Sequence, residues 1–196
     1  MQKNRTTFRS SGIALALVAA SLAFTGCTTT KPHDAATPAT ERAQINSGVD
    51  AALSKLYASA PASRDLVSRA KGVLVFPSVV GASFVVGGEY GRGALRVDGK
   101  TTGYYSTTAG SIGFQAGAQD KSIIVLFMTQ QSLDNFRNSN GWTVGADATI
   151  AVATIGANGS IDSNTIRQPI VGFVVNNTGL MAGVSLTGAK INKISP

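Results

Sequence analysis

Small residues recur at close intervals through the apolar segments that follow residue 72. Gly and Ala are concentrated at 113–118, 145–153 and 182–183, and Gly alone makes up 22 of the 196 residues. Glycine inside a strand usually marks a bend, a bulge or the close approach of another backbone. The pattern therefore predicts a strongly curved antiparallel sheet, as a half-barrel or a closed barrel, on which helices can pack closely.

Alternating apolar and polar residues indicate where the strands lie. Residues 73–76 are a short apolar strand that Pro77 is expected to close, and 83–97 is predicted to hold one or two strands. Asp98 and Gly99 form a strong signal for a hairpin turn, and residues 176–179 indicate another turn. Further strands are predicted at 103–107, 111–119, 122–128, 142–153, 169–175 and 180–187.

Helices are predicted before the sheet and within it. Five apolar residues fall on one face of a first helix, namely Ile45, Val49, Leu53, Leu56 and Tyr57. Pro61 should end this helix, and Ser63 and Gly72 are expected to cap a second, short helix. A third helix is predicted at 130–138. The first helix could lie on a membrane, but we favour its packing on the sheet. The predicted fold is therefore α+β, with a curved sheet covered by N-terminal amphipathic helices.

The N-terminus has the pattern of an export signal. Residues 1–10 contain three basic residues and no acid, and residues 13–24 are small or apolar. Twelve such residues are too few to span a bilayer as a helix, and a basic segment followed by a short apolar one is typical of a secretory signal peptide. We therefore expect residues 1–26 to be a signal peptide.

The only Cys of the chain follows this apolar segment. Residues 24–27, Phe-Thr-Gly-Cys, resemble the lipobox of bacterial lipoproteins, although Leu is commoner than Phe at its first position. The resemblance implies cleavage before Cys27 and acylation of its thiol and new amine. The alternative is an ordinary signal peptide cut near Ala23 or Gly26. On the lipoprotein interpretation, residues 27–40 are the acylated Cys and a flexible Thr/Ala/Pro tether, and residues 41–196 are the folded domain.

Composition excludes several functional classes. The signal removes three basic residues, so the mature chain keeps 14 basic and 10 acidic residues instead of the full 17 and 10. This mild excess and the predicted export argue against nucleic-acid binding. One Cys and one His, His33 in the tether, are too few for a His/Cys zinc site. No nucleophile motif is present, so we expect no catalytic residue, metal or cofactor and no enzymatic activity; a hydrolase is a weak alternative.

Basic residues are concentrated between 64 and 100. This segment holds six basic and three acidic residues, and those chosen as candidate headgroup-binding residues are Lys71, Arg92, Arg96 and Lys100. A solvated surface is the alternative interpretation. Arg92 lies in the Gly-rich segment 87–93, which is either a bend between strands or a flexible loop that meets a phosphate. Asp147 is expected to be buried and to pair with Lys71 or Arg92.

Six motifs in order resemble one family, that of the SYLF domain. They are 70–77 (AKGVLVFP), 87–93 (GGEYGRG), 110–119 (GSIGFQAGAQ), 126–128 (LFM), 145–148 (GADA) and 183–189 (GVSLTGA). The resemblance spans about 45–194, and Thr187 stands where the family has Glu. It implies binding of phosphoinositides and other anionic phospholipids and no catalysis. Eukaryotic members also bind actin, which an exported bacterial protein is not expected to meet.

The sequence thus predicts a lipid-anchored envelope protein that binds anionic phospholipids through a basic surface. The alternative is a non-enzymatic structural or interaction lipoprotein, with an envelope protein as partner. Thr28, and not the Asp that retains enteric lipoproteins in the inner membrane, follows Cys27. We therefore expect the outer membrane as its location.

Overall fold

The computed structural model describes residues 37–83, 86–112, 117–154 and 161–196. The expected signal peptide, Cys27 and the tether up to residue 36 lie outside the described residues. The helices found are α1 (Pro38–Ser59), α2 (Ser63–Arg69) and α3 (Gln130–Asn138), with a short 3-10 turn at Thr165–Arg167. The strands found are β1 (Gly72–Ser83), β2 (Val86–Val97), β3 (Lys100–Ile112), β4 (Gly117–Phe127), β5 (Trp142–Thr143), β6 (Ala151–Val152), β7 (Ile170–Asn176), β8 (Gly179–Leu180) and β9 (Lys190–Ile194).

These strands form one sheet in the order β5-β9-β3-β2-β1-β4-β7-β6, and β8 pairs with β7. The long strands β1 to β4 form its centre. Every pair is antiparallel except β6 and β7, which are parallel. The sheet is strongly curled into a half-barrel, which confirms the predicted α+β class. The parallel pair makes the sheet mixed, where a purely antiparallel one was predicted.

Apolar side chains of the central strands point alternately to two covered faces. In β1, Val73 and Val75 pack on the face that α1 and α2 cover. Leu74 and Phe76 pack on the opposite face, with the side chains of α3. Because both faces are buried, this part of β1 is a continuous apolar run in the sequence and does not alternate with polar residues.

An aromatic cluster joins α3 to the sheet. The ring of Phe136 lies 4.9 Å from Tyr105, 4.8 Å from Phe127 and 5.4 Å from Trp142, measured between centroids. Each such pair contributes about 0.5–1.5 kcal/mol beyond the burial of its area. The predicted helix at 130–138 is confirmed, and its packing ties together β3, β4 and β5.

Helix α1 packs on the other face of the sheet, as predicted. Its buried residues recur at helical spacing and are Ile45, Val49, Ala52 and Leu56. The Thr37 hydroxyl accepts a hydrogen bond from the Thr40 amide at the start of the helix, which ends at Ser59, before Pro61. Leu53 and Tyr57 belong to the predicted apolar face but are only half-buried. The sheet therefore covers part of the apolar face of α1 and leaves its C-terminal edge accessible.

Both capping predictions for α2 are wrong. Ala62 is the N-cap and makes no side-chain hydrogen bond, while Ser63 is the first helical residue and its buried Oγ has no partner among the described residues. The helix ends at Arg69, and Gly72 instead begins β1. A Cβ at Gly72 would lie 2.6 Å from Leu133 Cδ1. This glycine therefore allows the close approach of α3.

Two turns are confirmed. Asp98 and Gly99, with φ of 50° and 74°, join β2 to β3 as two left-handed residues of a tight hairpin. Residues 176–179 join β7 to β8, and the Asn176 side chain accepts a hydrogen bond of 2.9 Å from the Thr178 amide. The predicted strand at 180–187 is wrong, because β8 ends at Leu180.

The predicted strand at 142–153 is also wrong. Only its two ends, β5 and β6, are extended, and Gly145 between them has a φ of 93°. The Gly145 amide donates to the Ala148 carbonyl at 2.8 Å and closes a turn. The strands predicted at 103–107, 122–128 and 169–175 correspond to β3, β4 and β7, while 113–116 of the strand predicted at 111–119 lies outside the described residues.

Candidate functional site

The Gly-rich segment 87–93 is neither a bend nor a flexible loop, so both alternatives for it are wrong. It lies within β2 and pairs with β1 on one side and β3 on the other. A Cβ at Gly93 would overlap the carbonyl oxygen of Val75. Strand β1 continues past Pro77, with a register shift between Val75 and Ser78. The glycine at 93 thus permits a close approach of two backbones beside this shift.

Arg92 and Arg96 point from β2 toward α1 and form ion pairs with it. Arg92 Nη1 lies 3.0 Å from Glu41 Oε1, and Arg96 Nη1 lies 2.6 Å from Asp50 Oδ1. Arg96 Nη2 also donates to the Asn46 carbonyl at 3.3 Å. The hydrogen bond from Arg96 lowers the pKa of Asp50 below its usual value, although desolvation opposes the shift. Both arginines therefore hold α1 on the sheet.

The structure brings three of the four candidate headgroup residues to one end of the sheet. Lys71 precedes β1, Arg96 is near the end of β2, and Lys100 begins β3. Lys71 and Lys100 are exposed and form no salt bridge within the described ranges. Arg92 lies four residues earlier in β2, about 13 Å from Arg96. Their role in headgroup binding stays a prediction.

A cleft opens at this end of the sheet, between α1, α2 and the β2–β3 hairpin; we call it the α1–α2 cleft. Its volume is about 390 Å³. Its lining has apolar and polar parts of similar extent and consists of Leu53, Tyr57, Val67, Ser68, Ala70, Val73, Arg96, Asp98 and Gly99. Lys71 follows Ala70 in the chain, and Lys100 follows Gly99. The cleft therefore has apolar side chains and Arg96 in its lining, and Lys71 and Lys100 each adjoin a lining residue in the chain.

Arg64 is a further cation beside the cleft, where it stacks on the lining residue Tyr57. Its guanidinium lies over the ring of Tyr57, with Cζ 4.4 Å from the centroid. Burial raises the pKa of the Tyr57 hydroxyl, while the nearby charges of Arg64 and Arg96 oppose the rise. The positive charges of both arginines are thus close enough to the Tyr57 hydroxyl to lower its pKa. Arg64 belongs to the basic excess of residues 64–100 but is not one of the candidate headgroup residues, because only the packing of α2 beside α1 brings it to Tyr57.

The prediction for Asp147 is wrong. This residue is exposed, and its Oδ2 accepts a hydrogen bond of 2.6 Å from the Thr143 amide in the turn after β5. It forms no salt bridge with Lys71 or Arg92. The interruption of the predicted strand at Gly145 is the physical reason, because it places Asp147 in a solvated turn.

A more enclosed ion pair, Lys121 with Glu89, lies at a second and smaller cavity. The Nζ to Oε1 distance is 2.8 Å, and the two side chains are 11% and 23% exposed. The cavity encloses about 120 Å³ and is also lined by Thr107 and Thr187. Its small volume and the mutual pairing of its two charges make it a weaker candidate for a ligand than the α1–α2 cleft.

Two kinds of feature are absent from the described part of the chain. Among those residues, no helix combines the length and the apolar character needed to cross a membrane. In the same ranges, no three His, Cys, Asp or Glu side chains come together as metal ligands. Cys27 and His33 lie outside these ranges.

The chain is similar to known proteins over much of its length. Residues 108–195 match the Ysc84 family model, described as Las17-binding protein actin regulator. SH3 domain-containing YSC84-like protein 1 is 27% identical in Rattus norvegicus and in Mus musculus and 28% identical in Homo sapiens, each over 131 residues. These alignments cover 63% of this chain and 37–38% of the relatives, so the chain spans less than half of their length. The resemblance predicted from the six motifs is confirmed.

Proposed function

We propose that this chain, whose residues 108–195 belong to the Ysc84 (SYLF) family, is a lipid-anchored envelope protein that binds anionic phospholipid without catalysis. Its anchor is an acyl group on Cys27, and its location is the outer membrane. Its binding surface is the basic edge of the α1–α2 cleft, which includes Lys71, Arg96 and Lys100.

The observation that carries this proposal is the gathering of cations around one cleft. Arg64 and Arg96 both act on Tyr57, and Lys71 and Lys100 follow residues of the cleft lining. A basic residue near an anionic membrane surface contributes about 1 kcal/mol of binding free energy. The carboxylates of Asp50 and Asp98 reduce the local charge, so the two lysines and Arg64 supply most of the attraction.

The position of Cys27 supports the anchor. Ten residues separate it from Pro38, the first residue of α1, so eleven Cα–Cα steps join the two. A fully extended segment of this length reaches about 36 Å. An acyl group on Cys27 would therefore keep the domain within a short distance of a bilayer. The local concentration of lipid headgroups is high there, so even weak contacts with them would form.

A structural or interaction role is the second candidate function. Val80 and Tyr90 are 51% and 52% exposed and sit directly opposite each other on β1 and β2. Such an exposed apolar pair is suited to contact with another protein. The family description names an actin regulator that binds Las17, but for an exported chain we propose an envelope protein as the partner and not actin.

Flotation of vesicles separates the two functions. The full chain in its unacylated Cys27→Ser form should float with phosphatidylglycerol vesicles and not with phosphatidylcholine vesicles. The bound fraction should fall in 1 M salt, where the Debye length shrinks to about 3 Å. Equal flotation with both vesicle types, or none with either, would reject anionic-lipid binding and leave the interaction role.

A further inference from the structure

The α1–α2 cleft exposes an apolar floor that the fold leaves uncovered. Leu53 comes from α1, Val67 from α2 and Val73 from β1, and all three line the cleft. Leu53 and Val67 are only half-buried although they pack against the core. Three separate elements thus contribute apolar side chains to one opening, which a purely electrostatic headgroup site would not require.

Arg96 lines this cleft, and Arg64 lies beside it on the ring of Tyr57. Arg64 stacks on Tyr57 at 4.4 Å, and the Arg96 side chain, 18% exposed, is held by Asp50 and by the Asn46 carbonyl. These contacts restrict both guanidinium groups before any ligand arrives. Preorganised donors lose less conformational entropy when they bind an anion.

The size of the cleft limits what it can hold. At about 390 Å³ it falls in the lower part of the range of about 300–1,000 Å³ typical of small-ligand pockets. A single hydrocarbon chain fits such an opening better than a whole two-chain phospholipid does. The apolar floor would accept the chain, and the arginines at the edge would accept an attached negative charge.

We propose that the α1–α2 cleft takes up one acyl chain of an anionic phospholipid, with the lipid phosphate between Arg64 and Arg96. This inference rests on the proposed function and adds a site to it. The protein would then hold a single lipid molecule by both its chain and its headgroup, in addition to the attraction of its surface to the bilayer.

Filling the cleft tests the proposal. Ala70 lines the cleft in an extended conformation that any side chain can adopt (φ −64°, ψ 136°), so Ala70→Trp should close the cleft while leaving the surrounding cations in place. Ala51→Trp on the exposed side of α1 is the matched control. The full chain in its Cys27→Ser form is titrated with monomeric lysophosphatidylglycerol, and with glycerophosphoglycerol as the same headgroup without a chain.

The wild type should bind lysophosphatidylglycerol at least tenfold more tightly than the chain-free headgroup. Ala70→Trp should weaken lysolipid binding at least tenfold, and Ala51→Trp should leave it unchanged. Equal lysolipid binding by wild type and Ala70→Trp, or equal binding of lysolipid and headgroup by the wild type, would overturn the cleft proposal.

Flotation with phosphatidylglycerol vesicles distinguishes a failure of the site from a failure of the proposed function. If the wild type floats but its lysolipid binding is insensitive to the cleft variants, only the cleft proposal fails. If the wild type does not float, both fail. If circular dichroism shows that Ala70→Trp is unfolded, Ser68→Phe replaces it, because it narrows the same cleft from the exposed side of α2. Its lysolipid affinity is then compared with that of the wild type in the same way.

Discussion

Arg96 on β2 and Asp50 on α1 lie with Nη1 and Oδ1 2.6 Å apart, although the arginine is nearly buried and the carboxylate is largely exposed. The same guanidinium donates to the Asn46 carbonyl one turn earlier in α1. One side chain thus joins the middle of the helix to the strand beneath it. Because α1 also forms one wall of the α1–α2 cleft, this contact helps to set the shape of the cleft.

Asp50→Asn is expected to lower the free energy of unfolding by about 1 kcal/mol at pH 7, because it removes a charge-assisted hydrogen bond. Asp65→Asn breaks the more exposed pair with Arg69 and should cost about 0.3 kcal/mol. The folded-state pKa of Asp50 is lowered, so its contribution is present above about pH 5 and lost as the pH falls through that pKa. Urea unfolding at pH 7 and pH 3 measures this; an undiminished difference at pH 3 would contradict it.

Gly93→Ala should destabilise the protein by about 3 kcal/mol, because the new methyl group would overlap the Val75 carbonyl oxygen and the Phe76 ring. Gly110→Ala in β3 is the control, since no heavy atom lies within 4 Å of its Cβ position. Its effect should stay within about 0.5 kcal/mol. Thermal unfolding compares the two, and similar midpoints for both variants would argue against the close strand approach.

The triple variant Arg64→Gln/Lys71→Gln/Lys100→Gln should weaken binding to phosphatidylglycerol vesicles by about two orders of magnitude, at about 1 kcal/mol for each charge. A triple variant with the same loss of charge, Arg137→Gln/Lys190→Gln/Lys193→Gln, removes exposed cations elsewhere. It should weaken binding much less. Equal losses in the two variants would mean that net charge, and not the cleft edge, governs binding.

Glu89→Gln should cost about 1–2 kcal/mol of stability, because it leaves the partly buried Lys121 ammonium without a counter-charge. The double variant Glu89→Leu/Lys121→Met removes both charges and should recover most of that loss. Glu41→Gln, which breaks the more exposed pair with Arg92, should cost less than about 1 kcal/mol. If the double variant is no more stable than Glu89→Gln, the cost does not come from an unpaired buried charge.

Cys27→Ser should abolish acylation and move the protein out of the membrane fraction of the producing cells. Labelling with a radioactive fatty acid and fractionation measure the two effects. Thr28→Ser, beside it, is the control and should be labelled like the wild type. Equal label in Cys27→Ser and wild type would contradict a lipid anchor at this residue.

Periodicity in the sequence was sufficient to predict much of the sheet and two of the helices. The apolar faces of α1 and α3, the strands near 73–76 and 122–128, and the Asp98-Gly99 hairpin all follow from local patterns. In each case, burial on a helix or strand face requires apolar residues at fixed intervals. The prediction of a curved sheet likewise followed from its small residues.

The failures have a different cause, which is packing between elements and backbone conformation that the residue pattern does not specify. A Gly-rich segment such as 87–93 is compatible both with a loop and with a strand whose neighbour comes unusually close. Only the register shift in β1 shows that this segment is a strand of the second kind. Likewise, Arg64 reaches Tyr57 only because of how α2 turns against α1. Nothing in the sequence around Gly145 indicates that this residue has a φ of 93°, which ends the strand and leaves Asp147 exposed.

The two apolar clusters, separated by the sheet, give the protein two largely independent parts. On one side, α3 and its aromatic cluster stabilise the fold around Phe136; on the other, Leu53 and Val67 shape the cleft. Free-energy effects of substitutions usually add when the sites share no partners. Substitutions at the cleft floor can therefore change the proposed lipid preference without lowering the stability that the far side supplies. Homologues should tolerate more variation at the cleft floor than around Phe136.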